Sequence, residues 1–247
     1  MAIISLASLK GGVGKTSLSV NLADAFRAKG YRVLLIDGDP SAHASRFFKN
    51  PQIDSSLRES SLAKLFFSLR KQFRNEEMVD LLGAAEEFEL DLLVEVRDNF
   101  FVLPGGPELH HFLWGPGARL YKQLFPQLIR DLESVYDMIV IDTAPDYNVV
   151  TRNALALSDL AVVPVDSSEM SIASLENLVY AAAHLDKPTW AIVRTMVHST
   201  AKRVKRLSSE RLEGTFKSNE TVEGFMENIK ELSLELTYLI KITHSIF

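Results

Sequence analysis

The short run from Lys10 to Thr16, Lys-Gly-Gly-Val-Gly-Lys-Thr, has the residue types and spacing needed to bind phosphate groups. Its glycines let backbone N–H groups curve around a phosphate without Cβ clashes, and a helix that starts near Lys15 adds the positive end of its dipole. In such a loop Lys15 reaches the β- and γ-phosphates of a nucleotide, and the Thr16 hydroxyl binds Mg²⁺. The longer pattern Gly-x4-Gly-Lys-Thr is incomplete, because its first glycine falls on Leu9. We interpret the run as a phosphate-binding loop, in preference to a plain glycine turn.

Two further segments end an apolar run with carboxylates. Val33 to Pro40 reads Val-Leu-Leu-Ile-Asp-Gly-Asp-Pro. Residues two apart point the same way in an extended chain, so Asp37 and Asp39 can face the same end of a sheet. In the segment Met138 to Asp142, four apolar residues precede Asp142. Open α/β sheets bind ligands at the carboxyl ends of their strands, where a carboxylate can hold a water bound to Mg²⁺. All three carboxylates are therefore predicted to lie at the phosphate end of the sheet.

The elements that must position these side chains are predicted from apolar patterning. Six short, nearly all-apolar runs are typical of strands buried on both faces of a parallel sheet. Between the first two runs, Thr16 to Lys29 has one apolar face and is followed by Gly30, which predicts a helix and its end. We predict an α/β fold with a doubly wound, mostly parallel sheet and helices on both faces. The six runs are Ala2 to Ala7, Val33 to Ile36, Phe100 to Leu103, Met138 to Ile141, Leu160 to Val165 and Trp190 to Val193.

The stretch from Pro51 to Asp98 is predicted to form mostly helices that cover the sheet. It contains an apolar stripe at helical spacing, which is typical of core packing, and then an acidic segment from Glu86 to Asp91. Since the chain has no repeat, low-complexity tract or linker, we expect one domain over 1–247, with a nucleotide-binding core at 1–196 and a divergent helical C-terminal part at 197–247. The stripe consists of Leu62, Leu65, Phe66 and Leu69.

Composition excludes several functional classes. The 247 residues, 47% of them hydrophobic, can bury a large core. The absence of cysteine excludes disulfides, a thiolate nucleophile and a cysteine-held iron–sulfur cluster. Of the six histidines only His110 and His111 are adjacent, and sequence neighbours rarely face one metal, so a zinc site is not expected. A net charge of -5 argues against a wholly basic nucleic-acid binder. No apolar run is long enough to span a bilayer, and for this reason we expect a cytoplasmic protein.

The run Lys10 to Thr16 resembles the deviant Walker A motif of the ParA/MinD superfamily of P-loop ATPases. That family carries a similar Asp-x-Asp-Pro where this chain has Asp37 to Pro40, and Met138 to Asp142 has the form of a Walker B strand. The resemblance covers residues 1 to about 196. It implies a P-loop NTPase fold, ATP and Mg²⁺ as cofactors, and hydrolysis of ATP to ADP and phosphate, with ParA-type partition ATPases as the nearest group.

The resemblance also implies roles for individual residues. Lys10 corresponds to the signature lysine, which crosses a dimer interface to the partner's nucleotide, and it acts in catalysis with Lys15 and Asp39. Asp39 orients or activates the attacking water. The metal set consists of Thr16, Asp37 and Asp142. The nucleotide-binding set consists of Lys10, Gly11, Gly12, Val13, Gly14, Lys15, Thr16, Ser17, Arg194 and Met196.

Departures from the family concern the trigger of hydrolysis and the last part of the chain. The segment Asp39 to His43 lacks the Gln followed by Gly or Asn that partition ATPases commonly have after the proline, so hydrolysis could be slower or differently triggered. Asp142 to Pro145 reads Asp-Thr-Ala-Pro where the family usually has Asp-Thr-Pro-Pro. Many relatives place Asn near Arg194, at the base-contacting position. The customary Ile-Pro segment and Glu-Ala helix start are missing from the last fifth of the chain.

A basic segment from Arg194 to Lys217 carries seven basic residues against two acidic ones, in a chain whose net charge is -5. On a helix, four of the basic residues would fan over one side while Val204 and Leu207 pack inward. Such a patch can bind the phosphate backbone of DNA without distinguishing its sequence, and ParA proteins use basic residues in this way, but a solvated helix face explains it equally well. The four candidates for DNA binding are Lys202, Arg203, Lys205 and Arg206.

Three functions remain open. The resemblance favours a ParA-like ATPase that forms an ATP-sandwich homodimer, binds DNA non-specifically and drives plasmid or chromosome partition, or positions another cargo. Hydrolysis would be stimulated by a centromere-binding or other partner protein, and the ATP-bound form would associate with the nucleoid. The second is a MinD-like positioning ATPase on a membrane, although residues 232–247 are apolar and nearly uncharged, which favours a docked helix over a membrane-targeting one. The third is a metabolic P-loop ligase similar to dethiobiotin synthetase, against which Lys10 argues.

Overall fold

The computed structural model describes residues 1–59, 66, 92–166, 168–185 and 189–195. The strands within these ranges are β1 (Ala2–Leu6), β2 (Val33–Gly38), β3 (Val94–Arg97), β4 (Phe100–Leu103), β5 (Met138–Thr143), β6 (Leu160–Val165) and β7 (Thr189–Arg194). They form one sheet in the order β3-β4-β2-β5-β1-β6-β7. All neighbours run parallel except β3 and β4. The predicted doubly wound, mostly parallel sheet is therefore confirmed.

Helices cover both faces of this sheet. The described helices are α1 (Lys15–Ala28), α2 (His43–Arg46), α3 (Pro51–Glu59), α4 (His110–Leu113), α5 (Gly115–Leu132), α6 (Val149–Leu157) and α7 (Glu169–Ala182), with a 3-10 turn at Pro107–Leu109. None of these helices is both long and apolar enough to cross a membrane.

The central strands are apolar throughout because both of their sides are buried. Successive residues of a strand point to opposite faces. Leu34 accordingly packs in a core with Phe125 of α5, while Leu35 packs in a second core with Leu18 and Leu22 of α1. Without solvent on either face, the strands need no alternation of polar and apolar residues.

The prediction that Pro51 to Asp98 is mostly helical is wrong for its last part, where Val94–Arg97 is strand β3. Val94 is buried and Glu95 exposed, so this antiparallel edge strand alternates where the parallel strands do not. A turn with Asn99 in the left-handed region (φ 58°) joins it to β4. The earlier part is confirmed as helix over Pro51–Glu59, and Phe66 is fully buried. Leu62, Leu65, Leu69 and Glu86 to Asp91 lie outside the described residues.

Strands β2 and β5 run two residues beyond their predicted ends, to Gly38 and Thr143. Asp37 and Asp142 therefore belong to the strands themselves, and their backbones are fixed by the sheet. A Cβ on Gly38 would lie 2.8 Å from the carbonyl oxygen of Asp142, so the two strand ends approach as closely as glycine allows. The division into a core at 1–196 and a C-terminal part at 197–247 falls partly outside the described residues and stays a prediction.

Candidate phosphate-binding site

The loop between β1 and α1 is shaped by glycine. Gly12 (φ 75°) and Gly14 (φ 88°) both adopt the left-handed region, which other residues enter only with strain. Helix α1 begins at Lys15, directly after Gly14, and within the described part of the chain no side chain caps its first N–H groups. An anion at this point would accept hydrogen bonds from the loop and from the start of the helix.

Lys15 lies across this loop. Its side chain is mostly buried, and Nζ donates a hydrogen bond to the carbonyl oxygen of Lys10 over 3.1 Å. Burial lowers the pKa of Lys15, although the negative charges of Asp142, Asp39 and Asp146 act in the opposite direction. Lys15 therefore places a cation between the phosphate-binding loop and the carboxylates at the ends of the strands.

Asp142 lies on β5 behind the loop and is fully buried. Its Oδ1 accepts a hydrogen bond from Ser19 Oγ at 2.8 Å, whereas Oδ2 has no partner among the described residues. Burial raises the pKa of Asp142 to about 6, and the Ser19 and Thr16 hydroxyls oppose that rise. A buried carboxylate oxygen without a partner requires an explanation.

A Mg²⁺ ion bound at this oxygen would provide that explanation. Proteins hold Mg²⁺ through one or two carboxylates together with phosphate and water oxygens. Asp142 Oδ2 and the nearby Thr16 hydroxyl are oxygen atoms that could act as ligands for such an ion. No three His, Asp or Glu side chains in the described ranges are grouped to hold a metal by themselves. Asp142 and Thr16 thus fit an ion that completes its coordination with nucleotide phosphate.

Asp37 is held differently from Asp142. Its Oδ2 accepts hydrogen bonds from the backbone N–H (2.7 Å) and the hydroxyl (2.6 Å) of Ser45, and Oδ1 accepts one from the N–H of Asp39 (3.1 Å). Burial raises the pKa of Asp37 to about 7, against the effect of the Ser45 hydrogen bonds. Both oxygens have protein donors, so Asp37 joins α2 to the end of β2. Its proposed place in the metal shell stays a prediction.

Asp39 follows at the end of the same strand. Its Oδ1 accepts a hydrogen bond from the N–H of Ser41 at 2.8 Å, which fixes the carboxylate in a tight turn. Its negative charge acts on Lys15, Asp142 and Asp146, so it belongs to the same charged group. The geometry suits a residue that positions water, a role that stays a prediction.

Gly105 supports this turn from the loop after β4. Its N–H donates to Ser45 Oγ at 3.0 Å. A Cβ on Gly105 would lie 2.8 Å from the carbonyl oxygens of both Asp37 and Asp39. Because backbone atoms cannot move aside as side-chain ends do, only glycine fits here.

Lys10 begins the loop, and its side chain contacts residues that follow β6. Its ammonium forms an ion pair with Asp166 and donates a hydrogen bond to Ser168 Oγ at 2.8 Å. Asp166 directly follows β6, and Ser168 caps α7 by accepting a hydrogen bond from the N–H of Ser171. Lys10 is thus engaged within its own chain, and its contact with a partner's nucleotide stays a prediction.

The end of β7 is tied to the phosphate-binding loop. The Thr195 hydroxyl donates to the carbonyl oxygen of Val13 at 2.8 Å, and the Thr195 N–H donates to that of Val165. Arg194 is the last residue of β7. Five predicted site residues lie outside the described residues: Met196, Lys202, Arg203, Lys205 and Arg206.

Sequence patterns did not predict several residues that hold the site together. Ser19 lies one helical turn after Lys15, and Asp166 follows a predicted strand as Asp142 does. These positions could have identified both residues as candidates for the site. Ser45 and Gly105 meet Asp37 across 8 and 68 residues of chain, which no local pattern indicates.

The sequence profile of a family described as AAA domain matches residues 1–191 of this chain. The chromosome-partitioning ATPase Soj of Thermus thermophilus is 29% identical over 178 residues, covering 71% of this chain and 59% of that protein. The chain spans between 42% and 63% of the length of the curated relatives it matches first.

Solved structures show the same architecture. A putative plasmid partition protein of Borrelia burgdorferi bound to AMPPNP is 26% identical, with a TM-score of 0.59 over 89% of this chain and 83% of that one. Cobyrinic acid a,c-diamide synthase of Mycobacterium smegmatis, bound to an ATP analogue and magnesium, is 20% identical, with a TM-score of 0.67 over 86% of this chain and 82% of that one. At that identity the second likeness shows the fold alone.

Proposed function

This chain belongs to the AAA domain family of the ParA/MinD type, and we propose that it is an ATP- and Mg²⁺-dependent partition ATPase. The arrangement of the glycine loop, Lys15 and Asp142 is the main support for this proposal. A left-handed glycine loop leads into α1, and the buried cation of Lys15 lies between that loop and Asp142, which keeps one carboxylate oxygen without a protein partner. These are the parts that a nucleoside triphosphate with its metal requires.

Nucleotide binding would use groups that the fold already holds in place. The N–H groups from Gly11 to Ser17 would surround the β-phosphate, and Lys15 would exchange its contact with the Lys10 carbonyl for phosphate oxygens. Thr16 and Asp142 would hold Mg²⁺, with Asp37 supporting its surroundings. The ion, when bound, neutralises negative charge on the β- and γ-phosphate oxygens.

Hydrolysis then needs a positioned water more than it needs covalent chemistry. Asp39 is the group proposed to orient that water, because its turn is fixed by Ser41 and Gly105. Thr143 to Asn148 would form the loop that senses the γ-phosphate. In this loop, the Thr143 hydroxyl bonds to the Leu6 carbonyl (2.7 Å), and Asn148 caps α6.

The ATP-bound state is proposed to be a homodimer that binds DNA non-specifically, with Lys10 of each protomer at the partner's nucleotide. Support comes from the partition proteins among its relatives, including Soj of Thermus thermophilus. The basic residues Lys202, Arg203, Lys205 and Arg206 would contact DNA phosphates, and a centromere-binding or other partner protein would stimulate hydrolysis and release the dimer. Binding to DNA would bring the ATP form to the nucleoid.

The deciding experiment measures binding to non-specific duplex DNA with ATP, with ADP and without nucleotide, across a salt series. Binding that requires ATP and falls steeply with salt is expected, because phosphate contacts release counterions. Lys15→Ala should lose both ATP and DNA binding, whereas the matched surface change Lys29→Ala should keep both. Changing Lys202, Arg203, Lys205 and Arg206 together to alanine should weaken DNA binding and leave ATP binding intact.

Two results would contradict this function. Normal ATP affinity in Lys15→Ala would remove the phosphate-binding assignment. Failure to bind DNA with any nucleotide, together with ATP-dependent binding to anionic liposomes, would favour a membrane-positioning ATPase instead.

A further inference from the structure

The ammonium of Lys10 is held by a network at the start of α7. Asp166 pairs with it, and Ser168 Oγ accepts a second hydrogen bond from it at 2.8 Å. The Asp166 carboxylate is itself fixed, since its Oδ1 accepts hydrogen bonds from the Ser168 N–H (2.9 Å) and hydroxyl (2.6 Å). The Ser171 hydroxyl accepts a further bond from the Asp166 N–H (3.1 Å). Lys10 therefore meets an acceptor that is already oriented.

The lowered pKa of Asp166 is consistent with its ion pair to Lys10. Burial alone would raise the pKa of Asp166, but hydrogen bonds from Lys10 and Ser168 together with the Lys10 charge lower it to about 2. The carboxylate is thus ionised throughout the physiological range. The side chains of Lys10 and Asp166 are only 23% and 18% exposed, so salt and water screen the pair less than a surface pair.

We propose that Asp166 is a positioning residue that competes, within one chain, for the Lys10 ammonium that stabilises the ATP-bound dimer. This inference rests on the proposed sandwich dimer. One ammonium cannot contact Asp166 and Ser168 of its own chain and a nucleotide in the partner at the same time. Each protomer must therefore release Lys10 before the dimer closes, and Asp166 sets how readily that happens.

The expected change in the dimer dissociation constant follows from the fraction of protomers in which the Lys10 ammonium is free to leave Asp166. A pair of this exposure changes the available fraction of Lys10 by roughly two- to fivefold. A dimer uses Lys10 from both protomers, so its dissociation constant should change by the square of that factor, roughly four- to twenty-five-fold. Asp166 would therefore keep the ATP-bound protein monomeric at low concentration and allow dimers where the protein accumulates.

The test measures dimer dissociation constants by sedimentation at saturating AMPPNP, which avoids turnover. Asp166→Asn keeps the shape and the acceptor for the Ser168 N–H but removes the charge, and it should tighten the dimer roughly four- to twenty-five-fold. Asp166→Glu restores a carboxylate and should return the constant toward that of the wild type. The advantage of Asp166→Asn over the wild type should shrink as salt rises, because the competing pair is ionic.

Two controls separate positioning from a general effect on structure. Asp24→Asn removes another ion-paired carboxylate, which lies on α1 and pairs with Arg27 and with Arg97 of β3, and it should leave dimerisation unchanged. In a Lys10→Ala background, Asp166→Asn should have no effect, since there is no ammonium left to compete for.

The outcomes are distinguishable. If the wild type dimerises with AMPPNP and Asp166→Asn dimerises equally or less well, the competition by Asp166 is overturned while the proposed dimer stands. A tighter dimer that persists in the Lys10→Ala background would also overturn it. If neither wild type nor Asp166→Asn dimerises at any concentration, the sandwich dimer itself is wrong, and the inference falls with it.

Discussion

Asp37 on β2 and Asp142 on β5 are register partners in the sheet, so two buried carboxylates lie side by side at the carboxyl ends of adjacent strands. Burial raises the pKa of Asp37 to about 7, and the charge of Asp142 adds to that rise. Burial likewise raises the pKa of Asp142 to about 6. Ionising these two buried carboxylates therefore costs stability even with the Lys15 charge nearby, and a bound Mg²⁺ would reduce that cost.

A pH dependence of stability follows for the metal-free protein. Both carboxylates have folded pKa values above the unfolded value, so the native state binds more protons than the unfolded chain between about pH 4 and pH 7. The stability they contribute is fully present below the unfolded pKa and is lost as the pH rises through about 6 and 7. Each such carboxylate should remove up to about 1.4 kcal/mol per pH unit within this window. Denaturant unfolding in EDTA at a series of pH values measures this loss.

Asp142→Asn isolates the contribution of one carboxylate. It should unfold less readily than the wild type near pH 8 and should show a flatter pH dependence, because no proton is taken up at that position. Asp24→Asn, which changes an ion-paired carboxylate on α1, serves as the matched control. An Asp142→Asn variant with the wild-type slope would show that Asp142 is ionised in the folded state throughout this range.

Gly105 makes a second prediction about stability. Alanine at this position would place its Cβ 2.8 Å from the carbonyl oxygens of Asp37 and Asp39, so the turn must move. Gly105→Ala should lower the free energy of unfolding by roughly 1 to 3 kcal/mol, as overpacking usually does. Gly11→Ala is the matched control, since a Cβ there would meet nothing within 4 Å. Equal unfolding midpoints for the two variants would mean that the loop after β4 does not support the Asp39 turn.

The Ser19 hydroxyl orients the Asp142 carboxylate, which gives a prediction for metal affinity. Ser19 Oγ donates to Asp142 Oδ1 at 2.8 Å, and Ser19 lies one turn after Lys15. Ser19→Ala should raise the Mg²⁺ concentration needed for half-maximal nucleotide binding by roughly tenfold or more, as loss of a supporting hydrogen bond does at other metal sites. This concentration is measured by titrating Mg²⁺ into the protein with a fluorescent ATP analogue. Ser134→Ala, at an exposed position, is the control. An unchanged Mg²⁺ requirement would show that the Ser19 hydroxyl does not orient Asp142 for metal binding.

The fold was predictable because its signals are local. The strands that flank the phosphate-binding loop are buried on both faces, so their apolar runs stand out, and the loop itself lies within seven residues of sequence. Strand β3 was missed because it has only four residues, so the alternation of Val-Glu-Val-Arg is too short to stand out at the end of a stretch with helical spacing. The contacts of Asp37 with Ser45 and Lys10 with Asp166 depend on tertiary packing, which composition and spacing do not encode.

Asp39 gives the sharpest test of hydrolysis. Asp39→Ala removes the carboxylate proposed to orient water but leaves Lys15 and Asp142 in place, so ATP should still bind while single-turnover hydrolysis falls by roughly a hundredfold or more. Asp39→Asn keeps the shape and the hydrogen bond from the Ser41 N–H, so it separates loss of charge from loss of the turn. If both variants hydrolyse ATP slowly, the charge positions the water, and dimers should accumulate with ATP. If only Asp39→Ala is slow, the turn matters and the carboxylate charge does not. Hydrolysis at the parental rate in both variants would show that another residue orients the water.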